Sequence, residues 1–361
     1  MAASGIAFAI LVMLMQLGFY GAVVNTAVAI SSRLDADLVL VSPRFLHLSA
    51  TSSIRSARLY QALSVPGVER ATPLYFRYAN WREPVSGVRC RLFAVGFPVS
   101  EGAPLQLAGV SEQLEKLRST GALLLDRSTW PRCAPRRADG EVEVRDQVAW
   151  VVGDFDLGVG FLADGAVLLS DDTFARLFES QKLDRPHLGL LELRAGSDPA
   201  LAQRELRRIL PEDTRVLTRA ELSRLQMRHW VENTAVGNVF GLGCIVGFFV
   251  GLVILHEVLS TDIRNQLPFY ATLTAMGYGR RRLQRFVLEG AWIFASMGFA
   301  PALAIALIAF PVIRQQTRLP LFLSPGLVLL VFVLSLSMCT GAALVSMRKL
   351  RQADPAELFR A

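Results

Sequence analysis

The chain has 361 residues, 52% of them hydrophobic and 19% charged, with mean hydropathy +0.38, a formal charge of +7 and a pI of about 9.6. An average this apolar, over a chain whose middle reads as soluble, argues for a membrane protein. The basic balance then belongs to cytoplasmic loops, not to nucleic-acid binding.

The chain opens on an uncharged run, Gly5 to Ile30. A helix needs about 20 mostly apolar residues to cross the hydrocarbon core, so residues 1–30 are expected to form a first transmembrane helix. Ala27-Val28-Ala29 resembles a signal-peptide cleavage site, which is the alternative reading. Against it, no Lys or Arg precedes Arg33, and the run exceeds the roughly 7–15 residues of a signal's apolar core. The missing basic residues also suggest that a short cytoplasmic lead precedes this start.

Residues 31–232 change character, alternating short strand and helix patterns. Asp37 to Val41 reads as a strand, and Ile54 to Leu63 as a helix that stops before Pro66-Gly67. Val68 to Trp81 and Val88 to Phe97 read as neighbouring strands around Pro84 and Gly87. Later, Leu188 to Leu193 reads as a strand. Asp198 as N-cap and Pro199 at the first helical position open a helix to Leu210, and Arg215 to Leu217 is a short strand. The layout is β-α-β-β…β-α-β, a split α+β sandwich. Its interruption, about 98–186, is expected to be a second, mainly β subdomain with strands at 121–125, 141–152 and 166–169.

No chemistry is legible in this domain. Asp171-Asp172 and the pair Asp154 and Asp156 could ligate a cation, but read as turns or helix caps. His47, His187 and His229 lack a metal-ligand spacing, and Gly-x-Ser-x-Gly does not occur. No catalytic residue and no metal site are therefore expected. Cys90 and Cys133 share the domain and can form a disulfide, although their spacing alone does not establish one. Cys244 and Cys339 fall in apolar runs as small fillers.

Three more uncharged runs follow, Val236 to Leu255, Gly290 to Ile313 and Leu319 to Met347. They place transmembrane helices at 233–258, 286–313 and 319–347. The loop at 259–285 holds Arg264, Arg280, Arg281, Arg282 and Arg285, and the tail at 348–361 holds Arg348, Lys349, Arg351 and Arg360. Only Arg314 and Arg318 lie between the last two crossings. By the positive-inside rule both termini and the 259–285 loop are cytoplasmic, and residues 31–232 lie outside. His256, Glu257 and Glu289 sit near the interface, where their side chains can snorkel to water.

Glycines four apart let membrane helices approach closely. The second crossing has Gly237 and Gly241 in one frame and Gly243, Gly247 and Gly251 in another; the first repeats the idea with Gly18, Ala22 and Thr26. Packing within one chain and contact between two copies both fit. Beyond the second crossing, Ile263, Leu267, Tyr270, Ala271 and Leu273 recur at helical spacing, with Gly277 as a stop. This is a short amphipathic helix, suited to the lipid interface or to a groove on a soluble partner.

The stretch Tyr270-Ala271-Thr272-Leu273-Thr274-Ala275-Met276-Gly277-Tyr278 resembles the coupling segment of FtsX/MacB-type ABC transporter permeases, and of the DevC group in particular. Gly5 to Phe19, Leu259-Ser260-Thr261-Asp262-Ile263 and Ala353 to Arg360 are similar to the same group. Phe269 stands where the family usually has an acidic residue, and Thr274 where it usually has Lys. The resemblance implies four transmembrane helices with a MacB-like periplasmic α+β domain between the first two, and an FtsX-like permease region at about 233–361. It implies a cell inner membrane location and a homodimer. Asp262, Ile263, Leu267, Tyr270, Leu273, Met276 and Gly277 would face a separate ABC ATP-binding subunit. A membrane-fusion adaptor and an outer-membrane tunnel would complete the assembly. The chain has no Gly-Lys dipeptide and hence no Walker A loop. It should bind no cofactor, with ATP and Mg on the partner. Related readings are an FtsX-type regulator of cell-wall hydrolases and a lipoprotein-releasing permease.

Overall fold

The computed structural model describes residues 2–48, 52–136, 140–178, 183–265, 272, 276 and 280–352. It divides into a helical unit and an α+β unit, the latter Val23–Thr234 with Thr317–Pro320.

In the α+β unit the strands are β1 (Leu38–Val41), β2 (Val68–Arg82), β3 (Arg89–Phe97), β4 (Ala122–Asp126), β5 (Glu141–Val144), β6 (Gln147–Phe155), β7 (Gly165–Ser170), β8 (Leu188–Leu193) and β9 (Arg215–Thr218). Their order is β3-β7-β4-β6-β5-β2-β8-β1-β9, and β3 also pairs with β2. The strand β2 therefore serves two sheets. Its first half pairs with β8 from Val68 to Leu74, in an antiparallel sheet β9-β1-β8-β2. Its second half pairs with β3 from Tyr75 to Arg82.

That second half begins a ring. From β2 the pairings run through β3, β7, β4, β6 and β5, and return to β2 at Trp81–Val144 and Arg82–Glu143. Six strands thus close into a small barrel, which leaves no edge among them. The insertion does not build a β subdomain of its own: its four strands complete a barrel that β2 and β3 start. The stretch 141–152, one strand by pattern, is a hairpin. Arg145 and Asp146 turn it with φ of 51° and 64°, the left-handed pair that a two-residue hairpin requires.

Burial alternates as the pairings demand. Ala79, Trp81, Leu92, Ala94, Leu123, Leu125, Val142, Val144, Ala149, Val167 and Leu169 form one cluster drawn from all six strands. Phe174 and Leu177 of helix α3 (Asp171–Leu177) join it. The opposite face of β2 and β3, with Phe76, Phe93, Val95 and Phe97, packs with Val39, Val41, Leu190 and Leu217 of the small sheet. The far face of that sheet, with Leu38, Leu40 and Leu191, is covered by Leu59 and Ala62 of α2 (Ala57–Leu63) and by Ala202 and Leu206 of α4 (Pro199–Ile209). Asp198 caps α4, its carboxylate accepting the Ala200 N–H at 2.8 Å. Helix α5 (Arg219–Glu232) follows β9, started by a reciprocal capping box between Thr218 and Glu221.

The helical unit holds α1 (Ala2–Val28), α6 (Ala235–Asn265), α7 (Arg280–Thr317) and α8 (Pro325–Gln352), each long and apolar enough to cross a membrane. Two boundaries differ from the sequence pattern. α6 continues to Asn265, so Leu259 to Asn265 extends the crossing helix instead of starting a separate one. Residues 319–324 are not helical, and α8 starts at Pro325. Ser324 there accepts the Leu327 N–H at 3.2 Å, and proline fits a first helical position because its missing donor has no partner to lose.

Candidate helix-packing and coupling site

Glycine positions decide how closely the four helices approach. A Cβ on Gly251 of α6 would stand 2.8 Å from the Ala9 Cβ of α1 and would strike the Met338 sulfur of α8. On Gly247 it would meet Val12 Cγ1 at 3.1 Å, and on Gly243 the Gln16 amide at 2.5 Å. All three glycines therefore face α1 of the same chain. Gly18 of α1 lies against the Phe310 ring of α7, and Ala22 is buried at 1% exposure. Gly298 of α7 returns the contact, its Cβ position 2.7 Å from Ile6. Gly241 belongs to the other frame and has nothing within 4 Å. The set Gly18, Ala22, Gly243, Gly247 and Gly251 thus packs within one chain, and α6 keeps an open face of Val239, Leu242, Ile245, Val246, Phe249, Val250 and Val253.

Polar groups sit at two levels of this unit. His256 Nδ1 lies 2.8 Å from the Ser346 hydroxyl, tying α6 to α8 near the end that leads into the coupling segment. His256 thus has a partner inside the unit, where the sequence suggested snorkelling to water. Trp292 Nε1 donates to Thr340 Oγ1 at 3.1 Å, joining α7 to α8. Gln16, set against Gly243, gave only a weak signal in the sequence, a lone amide in an apolar run. The Ser346 partner gave none, because its pairing depends on how two distant helices align.

Of the coupling residues, Asp262 and Ile263 lie in the last turn of α6. Met276 is 69% exposed, with its N–H donating to the Thr272 carbonyl at 3.0 Å. Leu267, Tyr270, Leu273 and Gly277 lie outside the described residues. Beyond them Arg285 stands 3.9 Å from Glu289 in an exposed i,i+4 pair, a contact of small energetic weight.

In the α+β unit, side chains flagged in the sequence take structural positions. Asp171 and Asp172 occupy the first turn of α3, behind a Ser170 cap that accepts the Thr173 N–H at 3.2 Å. Burial, and then the neighbouring Asp172 charge, raise the Asp171 carboxyl. Asp154 pairs with Arg127 at 2.7 Å. His187 is buried and accepts the Phe76 N–H at 3.1 Å. His47 and His229, far apart in sequence, stack with ring centres 4.2 Å apart. Cys90 and Cys133 are disulfide-bonded inside the barrel wall. Asp164 lies beside these sulfurs, in the one grouping of possible metal ligands among the described residues, but bonded cysteines offer no thiolate to an ion.

Over about half its length the chain is similar to two solved structures. One is the periplasmic region of MacB from Actinobacillus actinomycetemcomitans, at 10% identity and a TM-score of 0.38, over 56% of this chain and 95% of that one. The other is the extracellular domain of the noncanonic ABC-type transporter YknZ from Gram-positive bacteria, at 10% identity and 0.36, over 51% and 99%. At these scores the likeness supports no structural conclusion. No curated protein sequence matches the chain. Residues 240–355, which take in most of α6 and the whole of α7 and α8, match the model of the FtsX-like permease C-terminal family. Over that stretch, which holds apolar helices and follows an α+β domain, the chain is similar to the C-terminal region of FtsX-like permeases.

Proposed function

We propose that the chain is the non-catalytic permease subunit of an ABC-type exporter. It passes ATP-driven motion from a separate ATP-binding subunit to a periplasmic domain that works with a membrane-fusion adaptor. The FtsX-like match over residues 240–355 carries this reading. Both termini and the 259–285 loop face the cytoplasm in this scheme, as the arginine distribution favours. ATP and Mg are held by the partner, two copies of this chain form the membrane core, and the adaptor leads to an outer-membrane tunnel. The cargo is a glycolipid or another hydrophobic compound, as in the DevC group.

Force enters at Asp262 to Tyr278 and travels along α6, whose helix runs unbroken from Ala235 to Asn265. A continuous helix transmits displacement along its axis, since its axial hydrogen bonds must break before it lengthens. The glycine contacts between α6 and α1 couple the two helices that flank the exported domain in sequence. Leu273→Asp should abolish co-purification with the ATP-binding subunit while leaving membrane insertion intact. Unchanged co-purification would remove the segment from this role. Co-purification of a peptidoglycan hydrolase in place of an adaptor would favour the regulator reading.

A further inference from the structure

The outer wall of the barrel carries a groove of about 830 Å³ where the end of the β2–β3 hairpin meets the β5–β6 turn. Register builds its floor. Residues two apart on a strand share a face, and β2 pairs with β3 so that Arg82 lies opposite Arg89 and Asn80 opposite Arg91. On the other side of Arg82 stands Glu143 of β5. The Arg145 N–H donates to the Asn80 carbonyl at 2.9 Å. Two rows result across three strands, Glu143–Arg82–Arg89 and Arg145–Asn80–Arg91.

Like charges directly opposite each other in a ladder are destabilising, and Arg82 facing Arg89 is such a pair. Arg82 is offset by Glu143 at 3.4 Å. The Arg89 side chain has no ion pair or hydrogen bond among the described residues. The Arg91 guanidinium lies 3.7 Å over the Tyr78 ring, a stacking that fixes its plane and uses none of its N–H donors. Arg145 rests 5.3 Å over the Phe178 ring in the same way. Of the lining carboxylates, Asp164 is taken up by Arg132 at 3.2 Å and by the Arg91 N–H at 2.9 Å. That leaves Asp146 against three guanidiniums with spare donors. The frame is fixed by the Cys90–Cys133 bond and by Glu83, whose buried carboxylate accepts the N–H groups of Ser86 at 2.5 Å and Arg136 at 3.3 Å.

The geometry points to an oxyanion-binding groove on the barrel wall, for a ligand with phosphate groups that neighbouring guanidiniums can share. Arg89 and Arg91 are about 7 Å apart along β3, with Arg82 about 5 Å across from Arg89. That spacing suits a diphosphate, free in solution or on a lipid headgroup. The site is independent of the exporter reading, since it uses no membrane helix and no ATP-binding partner.

The test is calorimetric titration of the full-length protein in neutral detergent with inorganic pyrophosphate and with soluble dihexanoyl phosphatidic acid. Charge-assisted hydrogen bonds of this type set the expected losses. Arg89→Ala and Arg91→Ala should each weaken binding about ten-fold, and the double variant about a hundred-fold, with melting temperature unchanged. Arg91→Lys should fall between, since it keeps the charge and loses the planar fork. Glu143→Gln, which releases Arg82, should tighten binding about three-fold. Tighter binding of phosphatidic acid than of pyrophosphate assigns the groove to a lipid headgroup, and the reverse order to a soluble anion; both support the site. Three results would overturn it: no binding of either compound, equal affinity in the wild type and the double variant, or a polyglutamate peptide bound more tightly than both through the same arginines, which would make the groove a protein-docking surface.

Discussion

His187 is buried, and its Nδ1 accepts a backbone N–H, so the imidazole is held neutral. Burial, and then the Arg77 charge, push it down to about 4. An unfolded imidazole titrates near 6.5. Between about 6.5 and 4 the unfolded chain therefore binds a proton that the folded one refuses. Stability is full above that window and falls as pH drops through it, by up to about 3 kcal/mol. The urea midpoint of the α+β unit should fall between pH 7 and pH 5. His187→Asn should be less stable at pH 7 and flatter across the window; an equally steep fall would acquit this residue. Glu83 works in the opposite sense. Hydrogen bonds from Ser86 hold its carboxyl at about 2, so its contribution persists until strong acid. Asp126, at 1% exposure, takes the Ser128 and Leu157 N–H groups on Oδ1 and the Ser128 hydroxyl and Gly158 N–H on Oδ2. Neither carboxylate stood out in the sequence, because what distinguishes each is a set of backbone donors that only the folded loops bring together.

For the helices, the glycine contacts separate two substitutions that look alike in sequence. Gly251→Val should lower the detergent melting temperature by several degrees, because its Cβ meets Ala9 and Met338 and overpacking costs about 1–3 kcal/mol. Gly241→Val meets open space and should leave the melting temperature where it was. Equal effects would mean that the α1–α6 contact is not the one described. In the α+β unit, the Cys90–Cys133 bond closes a loop with a sequence separation of 43. The joint substitution Cys90→Ser and Cys133→Ser should lower unfolding free energy by about 2–4 kcal/mol, read from denaturant midpoints without reductant. A reductant should lower the wild type to the same level and leave the double variant unmoved. Elements with strong local signals were legible: α4 through Asp198 and Pro199, and β1 through its bounded apolar run. The hairpin at Arg145-Asp146 was not, since those residues are poor markers of the left-handed conformation they adopt. The α5 helix went unmarked in the pattern, although Thr218 and Glu221 carry the spacing of a capping box.

At the scale of the whole molecule, α6 presents an exposed apolar face. Lipid and a second copy both suit Val239, Leu242, Val246, Phe249 and Val253. If that face is the dimer seam, Leu242→Cys should form a cross-linked dimer in membranes under mild oxidation, and Gly247→Cys, turned toward α1, should not. Absence of the first product would count against a dimer built on this face.

The sequence by itself determined that four helices are apolar enough to cross a membrane, and that an α+β domain lies between the first two. Both follow from local quantities, uncharged length and residue periodicity, which no distant contact can alter. Only the tertiary structure decided that the insertion closes a barrel with β2 and β3, that Gly243, Gly247 and Gly251 face α1 of the same chain, and that Arg82 stands opposite Arg89. Each of these depends on register between segments far apart in the chain. A one-residue slip in a strand exchanges its two faces, and a small rotation of a helix moves a glycine from a neighbour to open space.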